Sequence, residues 1–185
     1  MLDLLSLHKY FLSEHLKEGG AAVDFTMGNG YDTQFLSESV GKTGKVYAFD
    51  IQEQAKINTE KRLIEAGCPN NWTLILDSHE NAQRYVSEPL CAGIFNLGWL
   101  PGSDKSVTTN RSVTLPAVKN AVGMLDFGGI LLVAVYPGHE EGKIEGEMLE
   151  ELLSELSKYQ FCAAKFRIVN SPDSPYFFVI EKKGR

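Results

Sequence analysis

No apolar run in this sequence approaches the roughly 20 residues needed to cross a bilayer, so no membrane-spanning helix is expected. Cysteine is scarce: Cys68, Cys91 and Cys162 are widely spaced and form no C-x-x-C pair. They read as reduced thiols, which excludes a disulfide framework and a cysteine zinc site. The four histidines, His8, His15, His79 and His139, show no ligand spacing beside carboxylates or thiols, so no metal site is expected. Positive charge is also short, with 18 Lys+Arg against 24 Asp+Glu and a formal net charge of −6. That balance excludes bulk, sequence-blind nucleic-acid binding, which needs a basic footprint, but leaves room for a nucleic acid held by a local patch. Residues 1–8 carry no basic segment ahead of an apolar stretch, so no signal peptide is expected. Repeats, low-complexity tracts and interdomain linkers are missing too. What remains is ordinary globular composition, 43% hydrophobic and 23% charged, and the expectation is one cytoplasmic domain over 1–185.

Turn signals cut the chain into an alternating series. Leu4, Leu5, Leu7, Tyr10, Phe11, Leu12 and Leu16 recur at helical spacing until Gly19-Gly20. This N-terminal helix, within 1–18, has an apolar face that must cover either the sheet or a dimer contact. Strands are then predicted over 21–25, 45–49, 72–76, 92–95 and 129–135, and helices over 32–40, 52–66, 80–86, 108–125 and 145–159. Pro116 either kinks the fourth of these helices or marks where its regular part begins. The last two strands, 161–169 and 176–181, have only 170–175 between them. Such a link is too short for a crossover helix and makes an antiparallel hairpin. The predicted fold class is therefore α/β, a Rossmann-like doubly wound seven-stranded sheet, mostly parallel with one antiparallel strand in a C-terminal hairpin.

Ligands of such sheets bind beyond the carboxyl ends of the strands, near the topological switch point. Polar and glycine residues concentrate there. After the first strand comes Asp24-Phe25-Thr26-Met27-Gly28-Asn29-Gly30-Tyr31-Asp32-Thr33, after the second Asp50-Ile51-Gln52, and after the third Asp77-Ser78-His79. The fourth runs into Asn96-Leu97-Gly98-Trp99-Leu100-Pro101-Gly102. A dinucleotide fingerprint needs a third small residue, and Thr33 stands in its place. Asp24 and Asp32 would also put carboxylates where a dinucleotide presents phosphates, a costly repulsion. A ligand with an ammonium and a sulfonium turns that repulsion into attraction, and S-adenosylmethionine is such a ligand. Asp50, at the ribose-binding spacing, would accept from both ribose hydroxyls. The bland alternative is that Asp24 and Asp50 cap helices. On the ligand reading both carboxylates are expected to stay ionised near neutral pH.

These segments, with Ser103-Asp104-Lys105 and Tyr136-Pro137-Gly138-His139, resemble the class I S-adenosylmethionine-dependent methyltransferases. Within them the chain is most similar to the family long described as "putative rRNA methylase" (YtqB-like), over nearly its whole length. The resemblance implies methyl transfer to the 5-aminomethyl group on the wobble uridine of tRNA, presented by the anticodon stem-loop, and a homodimer. The alternatives are rRNA or a small-molecule amine as acceptor. It also implies cofactor contacts at Asn29, Asp50, Gln52, Ser78 and His79. Tyr31 departs from the pattern, where a smaller polar residue often stands.

The remaining assignments come with competing readings. Gly28 and Gly30 let the backbone approach the methionine moiety, or simply serve a β–α turn with positive φ. Asn29 donates to the cofactor's carboxylate or caps the helix. Asp77 and Ser78 bind the adenine edge, although Ser78 is also a good N-cap. His79 packs on adenine or is a solvent-exposed helix residue. Asp24, Asp32, Thr33, Tyr31 and Ile51 complete the predicted cofactor set. Asn96, Trp99 and Asp104 are the candidate catalytic residues: Asn96 accepts from the amine, Trp99 stacks on a base or fills the core, and Asp104 or His139 removes a proton. Gly98, Pro101, Lys105 and His139 are the candidate substrate contacts. Lys105, Arg111, Lys119 and Lys143 supply a basic rim or are ordinary solvated charges.

Overall fold

The computed structural model describes residues 4–97, 111–138 and 140–184. The chain opens with α1 (Leu4–His15) and then alternates β1 (Ala21–Asp24), α2 (Tyr31–Val40), β2 (Lys45–Asp50), α3 (Glu53–Glu65) and β3 (Trp72–Leu76). A short 3-10 helix (His79–Arg84) leads to β4 (Leu90–Leu97), followed by α4 (Arg111–Met124), β5 (Leu125–Val135) and α5 (Glu140–Ser154). The strands β6 (Phe161–Phe166) and β7 (Tyr176–Lys182) close the chain as an antiparallel hairpin. The sheet order is β3-β2-β1-β4-β5-β7-β6, with β7 antiparallel to β5 and the first five strands parallel. This is the predicted Rossmann-like sheet. Because the chain moves outward from β1 to β3 and then returns to β4, the crevice lies between the carboxyl ends of β1 and β4.

The central strands are largely apolar because both of their faces are covered. All four residues of β1 are buried, as are the last seven of β5. One layer packs Leu36 and Val40 of α2 and Leu12 of α1 on Ala22, Val46, Ile94 and Leu132. The other packs Ala82, Val118, Val122, Leu149 and Leu153 against Val23, Phe95, Leu131 and Val133. The N-terminal helix covers the sheet: Leu12 is fully buried, Phe11 meets Phe166 and Phe177, and the His15 ring donates to the Gly128 carbonyl at 2.7 Å. Among the described residues, no helix is long and apolar enough to cross a membrane.

The observed boundaries correct several predicted ones: β4 spans Leu90–Leu97 where 92–95 was predicted, and β6 ends at Phe166 where the strand was predicted to reach 169. β5 starts at Leu125, not 129, because Leu125 pairs with Leu90 before a register shift brings Ile130 opposite Ala92. The glycines at this irregularity, with Gly128 at φ 72°, imitate a strand start. Helix α5 begins at Glu140 and ends at Ser154, five residues earlier than predicted at each end. Gly142 and Gly146 hide its first turns, and a Cβ on Gly146 would overlap the Tyr176 hydroxyl. α4 runs through Pro116, which removes the hydrogen bond to the Ser112 carbonyl without ending the helix.

If α1 is part of the core and not an appendage, Leu12→Ala should cost about 2–5 kcal/mol, the usual loss for a buried leucine. A urea titration should show the midpoint falling with unchanged slope. An unchanged midpoint would detach α1 from the cooperative unit.

Candidate active site

The glycine turn after β1 is built around a buried carboxylate. Asp24 is fully buried; one oxygen accepts from the Thr26 N–H at 3.1 Å and the other from the Thr33 hydroxyl at 2.6 Å. The turn then needs two left-handed residues, Gly28 at φ 54° and Gly30 at φ 78°. At Gly30 a Cβ would stand 2.9 Å from the Thr59 backbone, so α3 leaves no room for a side chain there. Asp50 ties the same turn to β2: its oxygens accept from the Gly28 N–H at 3.0 Å and the Gln52 N–H at 2.9 Å. Neither Asp24 nor Asp50 is a helix cap of the ordinary kind: Asp24 binds the turn to the first turn of α2, and Asp50 binds it to the loop after β2. Asn29 does not cap α2 either. Its side-chain oxygen accepts from Asn58 at 3.0 Å and its carbonyl from Arg62 at 2.7 Å.

The outer end of the crevice is formed by β2 and β3. Ile51 is 62% exposed beside Asp50, an apolar side chain standing in solvent. Asp77 accepts from Asn81, Tyr85 and the Ser78 N–H, and the first two of these hold its carboxyl below the usual range. Ser78 does cap the 3-10 helix, accepting from the Glu80 N–H at 3.4 Å. The Nδ1 of His79 lies 3.1 Å from the Phe25 carbonyl, and its ring meets Phe95 edge-on. A carbonyl only accepts, so Nδ1 carries the proton. Burial pushes the ring's pKa down, and the neutral ring leaves Nε2 as a buried acceptor with no partner. His79 is thus not a solvent-exposed helix residue. Tyr31 is 62% exposed, with the Arg62 guanidinium 3.6 Å over its ring.

The inner end brings three elements together. The Asn96 N–H donates to the Thr26 hydroxyl at 2.7 Å, and its side-chain amide donates to Asp32 at 2.7 Å. The other Asp32 oxygen lies 3.5 Å from Nε2 of His8, which is itself buried on α1. Burial acts to raise the Asp32 pKa, but His8, Asn96 and Lys9 outweigh it and hold the carboxyl below its ordinary value. Tyr136, after β5, has its phenol pushed up by burial and by the Asp32 charge. Sequence alone assigns no individual role to His8 or Arg62, and marks Thr26 and Tyr136 only within their motifs. His8 leaves one signal, a polar residue four positions before Leu12 on an apolar stripe. Gly98, Trp99, Pro101, Asp104, Lys105 and His139 lie outside the described residues. Of the basic rim, Lys143 pairs with Asp173 at 3.5 Å and Lys119 is exposed on α4. Among the described residues, no group of three His, Cys, Asp or Glu side chains can hold a metal ion.

Asp24 departs from the expectation that it stays ionised. Burial first, then the charge of Asp32, raises its pKa to about 7 against the lowering effect of the Thr33 and Thr26 hydrogen bonds. In the unfolded chain the same group ionises near 3.8. Between about pH 4 and 7 the folded state therefore binds more protons, so this group's contribution to stability falls as pH rises and levels off above 7. Asp24→Asn removes that slope. Its stability relative to wild type should rise across the window by up to about 4 kcal/mol and stay constant above it. Urea midpoints of both proteins at pH 4.5, 6 and 7.5 check this; a difference that does not vary with pH would refute it.

With this geometry in hand, similarity to known proteins is informative. The family described as "Putative rRNA methylase" matches residues 46–182. The chain is 34% identical over 181 residues to the chloroplastic tRNA (mnm(5)s(2)U34)-methyltransferase of Arabidopsis thaliana, covering 91% of this chain and 65% of that protein. It thus spans less than two thirds of that relative's length. The "putative rRNA-methylase" of Clostridium thermocellum superimposes with a TM-score of 0.95 at 36% identity, over 98% of both chains. A "putative methyltransferase" from Streptococcus mutans, in complex with SAH, gives 0.89 at 39% identity over 98% and 99% of the two chains. An O-methyltransferase of Thermotoga maritima, at 15% identity and TM-score 0.68 over 97% of this chain and 66% of that one, shares the fold alone. Fold, glycine turn and sequence agree, and the chain belongs to the rRNA methylase family of class I methyltransferases.

Proposed function

We propose that this protein transfers a methyl group from S-adenosylmethionine to the 5-aminomethyl nitrogen of the wobble uridine in tRNA. The observation that carries the reading is Asn96, held by Thr26 and Asp32 at the carboxyl end of β4 beside the glycine turn. Asp32 only accepts when ionised, so the Asn96 NH2 faces it and the amide oxygen is left for an incoming N–H donor. The relationship to the plant enzyme, whose name specifies a tRNA wobble uridine, supports the acceptor.

The residues present fit the cofactor. Gly28 and Gly30 give a bare, left-handed turn, Asp50 stands at its edge, Ile51 offers an exposed apolar surface, and the His79 Nε2 lacks a donor. We assign Gly28, Asn29 and Gly30 to its methionine end, Asp50, Ile51 and Gln52 to the ribose, and Asp77, Ser78 and His79 to the adenine. Asp24 and Thr33 support the turn from beneath, since the hydrogen bond between them is buried. When bound, the cofactor supplies a methyl group activated by a sulfonium. The chain's own residues orient the acceptor and exclude water. An alkylamine with a pKa near ~10.4 is mostly protonated at pH 7, so before attack it must give a proton to solvent or to a base, for which Asp104 and His139 are the candidates. Asn96 accepts a hydrogen bond from the free amine and turns its lone pair.

Two experiments test this reading. Asp50→Ala should weaken S-adenosylmethionine binding by roughly 1.5–3 kcal/mol, the range for hydrogen bonds to a charged group. Calorimetry with equal affinity in a folded variant would remove the ribose assignment. Mass spectrometry of tRNA nucleosides from a deletion strain should show the unmethylated aminomethyl uridine accumulating. Unaltered tRNA with a change in rRNA or in a small amine would move the acceptor there.

A further inference from the structure

The buried histidine on the N-terminal helix is not used by the reading above. His8 sits on the covered face of α1, four residues before fully buried Leu12, and is 5% exposed. A leucine there would continue the apolar stripe, whereas an imidazole in the core costs free energy unless it is satisfied. Its Nε2 makes no hydrogen bond and faces one carboxylate, Asp32 Oδ1, at 3.5 Å, while the other oxygen of that carboxylate takes the Asn96 amide at 2.7 Å. Three residues from three elements, α1, α2 and β4, therefore form one line ending at the acceptor side of the crevice. Lys9, Asp24 and Tyr136 are the other charged or titratable groups acting on Asp32 or acted on by it.

We propose that His8 is a positioning residue: through Asp32 it holds the Asn96 amide with its oxygen toward the acceptor nitrogen. The inference rests on the methyl-transfer reading for its consequence, but the geometry stands without it. An Asn side chain has nearly the same shape when its amide is turned over, so packing alone selects its orientation poorly. An ionised carboxylate selects it strongly, because only the NH2 group donates. Asp32 in turn is flanked by Asp24 and is substantially buried, so without a partner facing its second oxygen it is free to rotate away from Asn96. The His8 ring faces that oxygen from the far side and acts on it electrostatically across 3.5 Å, without a formed hydrogen bond. A β-sheet residue is thus oriented by a helix lying outside the alternating β–α core, which explains why α1 carries a polar residue in its packed face.

The test has two readouts. In 15N-labelled protein, the Asn96 side-chain amide pair, identified by its loss in Asn96→Ala, should shift and exchange faster with solvent in His8→Ala. An unchanged pair overturns the proposal whatever the protein methylates. In single-turnover methylation of tRNA from a deletion strain, His8→Ala should be at least tenfold slower, with the S-adenosylmethionine dissociation constant within threefold of wild type. Removing His8 from Asn96→Ala should then cost less than twofold, because the route of its effect is gone. A full additive loss in the double variant would mean a purely structural role. His8→Gln keeps an N–H group of similar reach and should recover to within threefold of wild type. It also serves if His8→Ala folds poorly, and a His8→Gln protein as slow as His8→Ala overturns the positioning role. Wild-type protein inactive on this tRNA would remove the proposed acceptor, while the amide signals still decide the His8 contact.

Discussion

The buried carboxylate of Asp24 is the knot from which the crevice is tied. By accepting from Thr26 and Thr33 it shapes the turn after β1 and fastens the first turn of α2 beneath it. Thr26, so placed, offers its hydroxyl to the Asn96 N–H and thereby fixes where β4 ends. Gly28, lifted by the same turn, gives its N–H to Asp50 at the end of β2. Three neighbouring strands are thus tied at their carboxyl ends by side chain to backbone bonds in addition to the backbone bonds from Phe25 to Ile94 and from Met27 to Phe49. A buried polar group is tolerable only when satisfied, and here satisfaction and geometry are the same thing.

Concentrating Asp24, Asp32 and Asp50 in one partly buried region is electrostatically unfavourable, and the protein resolves it unequally. Asp24, enclosed and beside Asp32, keeps its proton until about pH 7. Asp32 is held ionised by His8, Asn96 and Lys9 despite its burial. The resulting region is one in which the ionised carboxylate stands on the acceptor side and the titrating one below the turn. An arrangement of this kind is poor for phosphates and good for a ligand carrying positive charge, such as S-adenosylmethionine.

The α1 helix connects these features to the rest of the fold. Its Leu12, Phe11 and His15 belong to the sheet's covering layer, while His8 on the same face reaches the crevice. Stability and the geometry of the site therefore share one element, and a change in how α1 packs is transmitted to Asp32 and from there to Asn96.

Much of this was determined by the sequence alone. Short apolar runs between glycine turns specify buried parallel strands, and the link before Tyr176, six residues as predicted and nine as observed, is too short for a crossover helix, so the sheet and its reversed strand follow from periodicity and link length. The residues after each strand mark the crevice because polar groups there have no place in the core. Boundaries at Leu125 and Glu140 did not follow, since a bulge and glycines in a helix interrupt periodicity without ending an element. Tertiary structure alone decided the partners. The pairing of Asp24 with Thr33 can be guessed from nine residues of separation, but that of Asp32 with His8 and Asn96 cannot, as it spans 24 and 64 positions. The near-neutral titration of Asp24 likewise arises only when folding removes water and brings Asp32 close. Local pattern encodes which face a residue turns inward; which charges then meet is a property of the packed sheet.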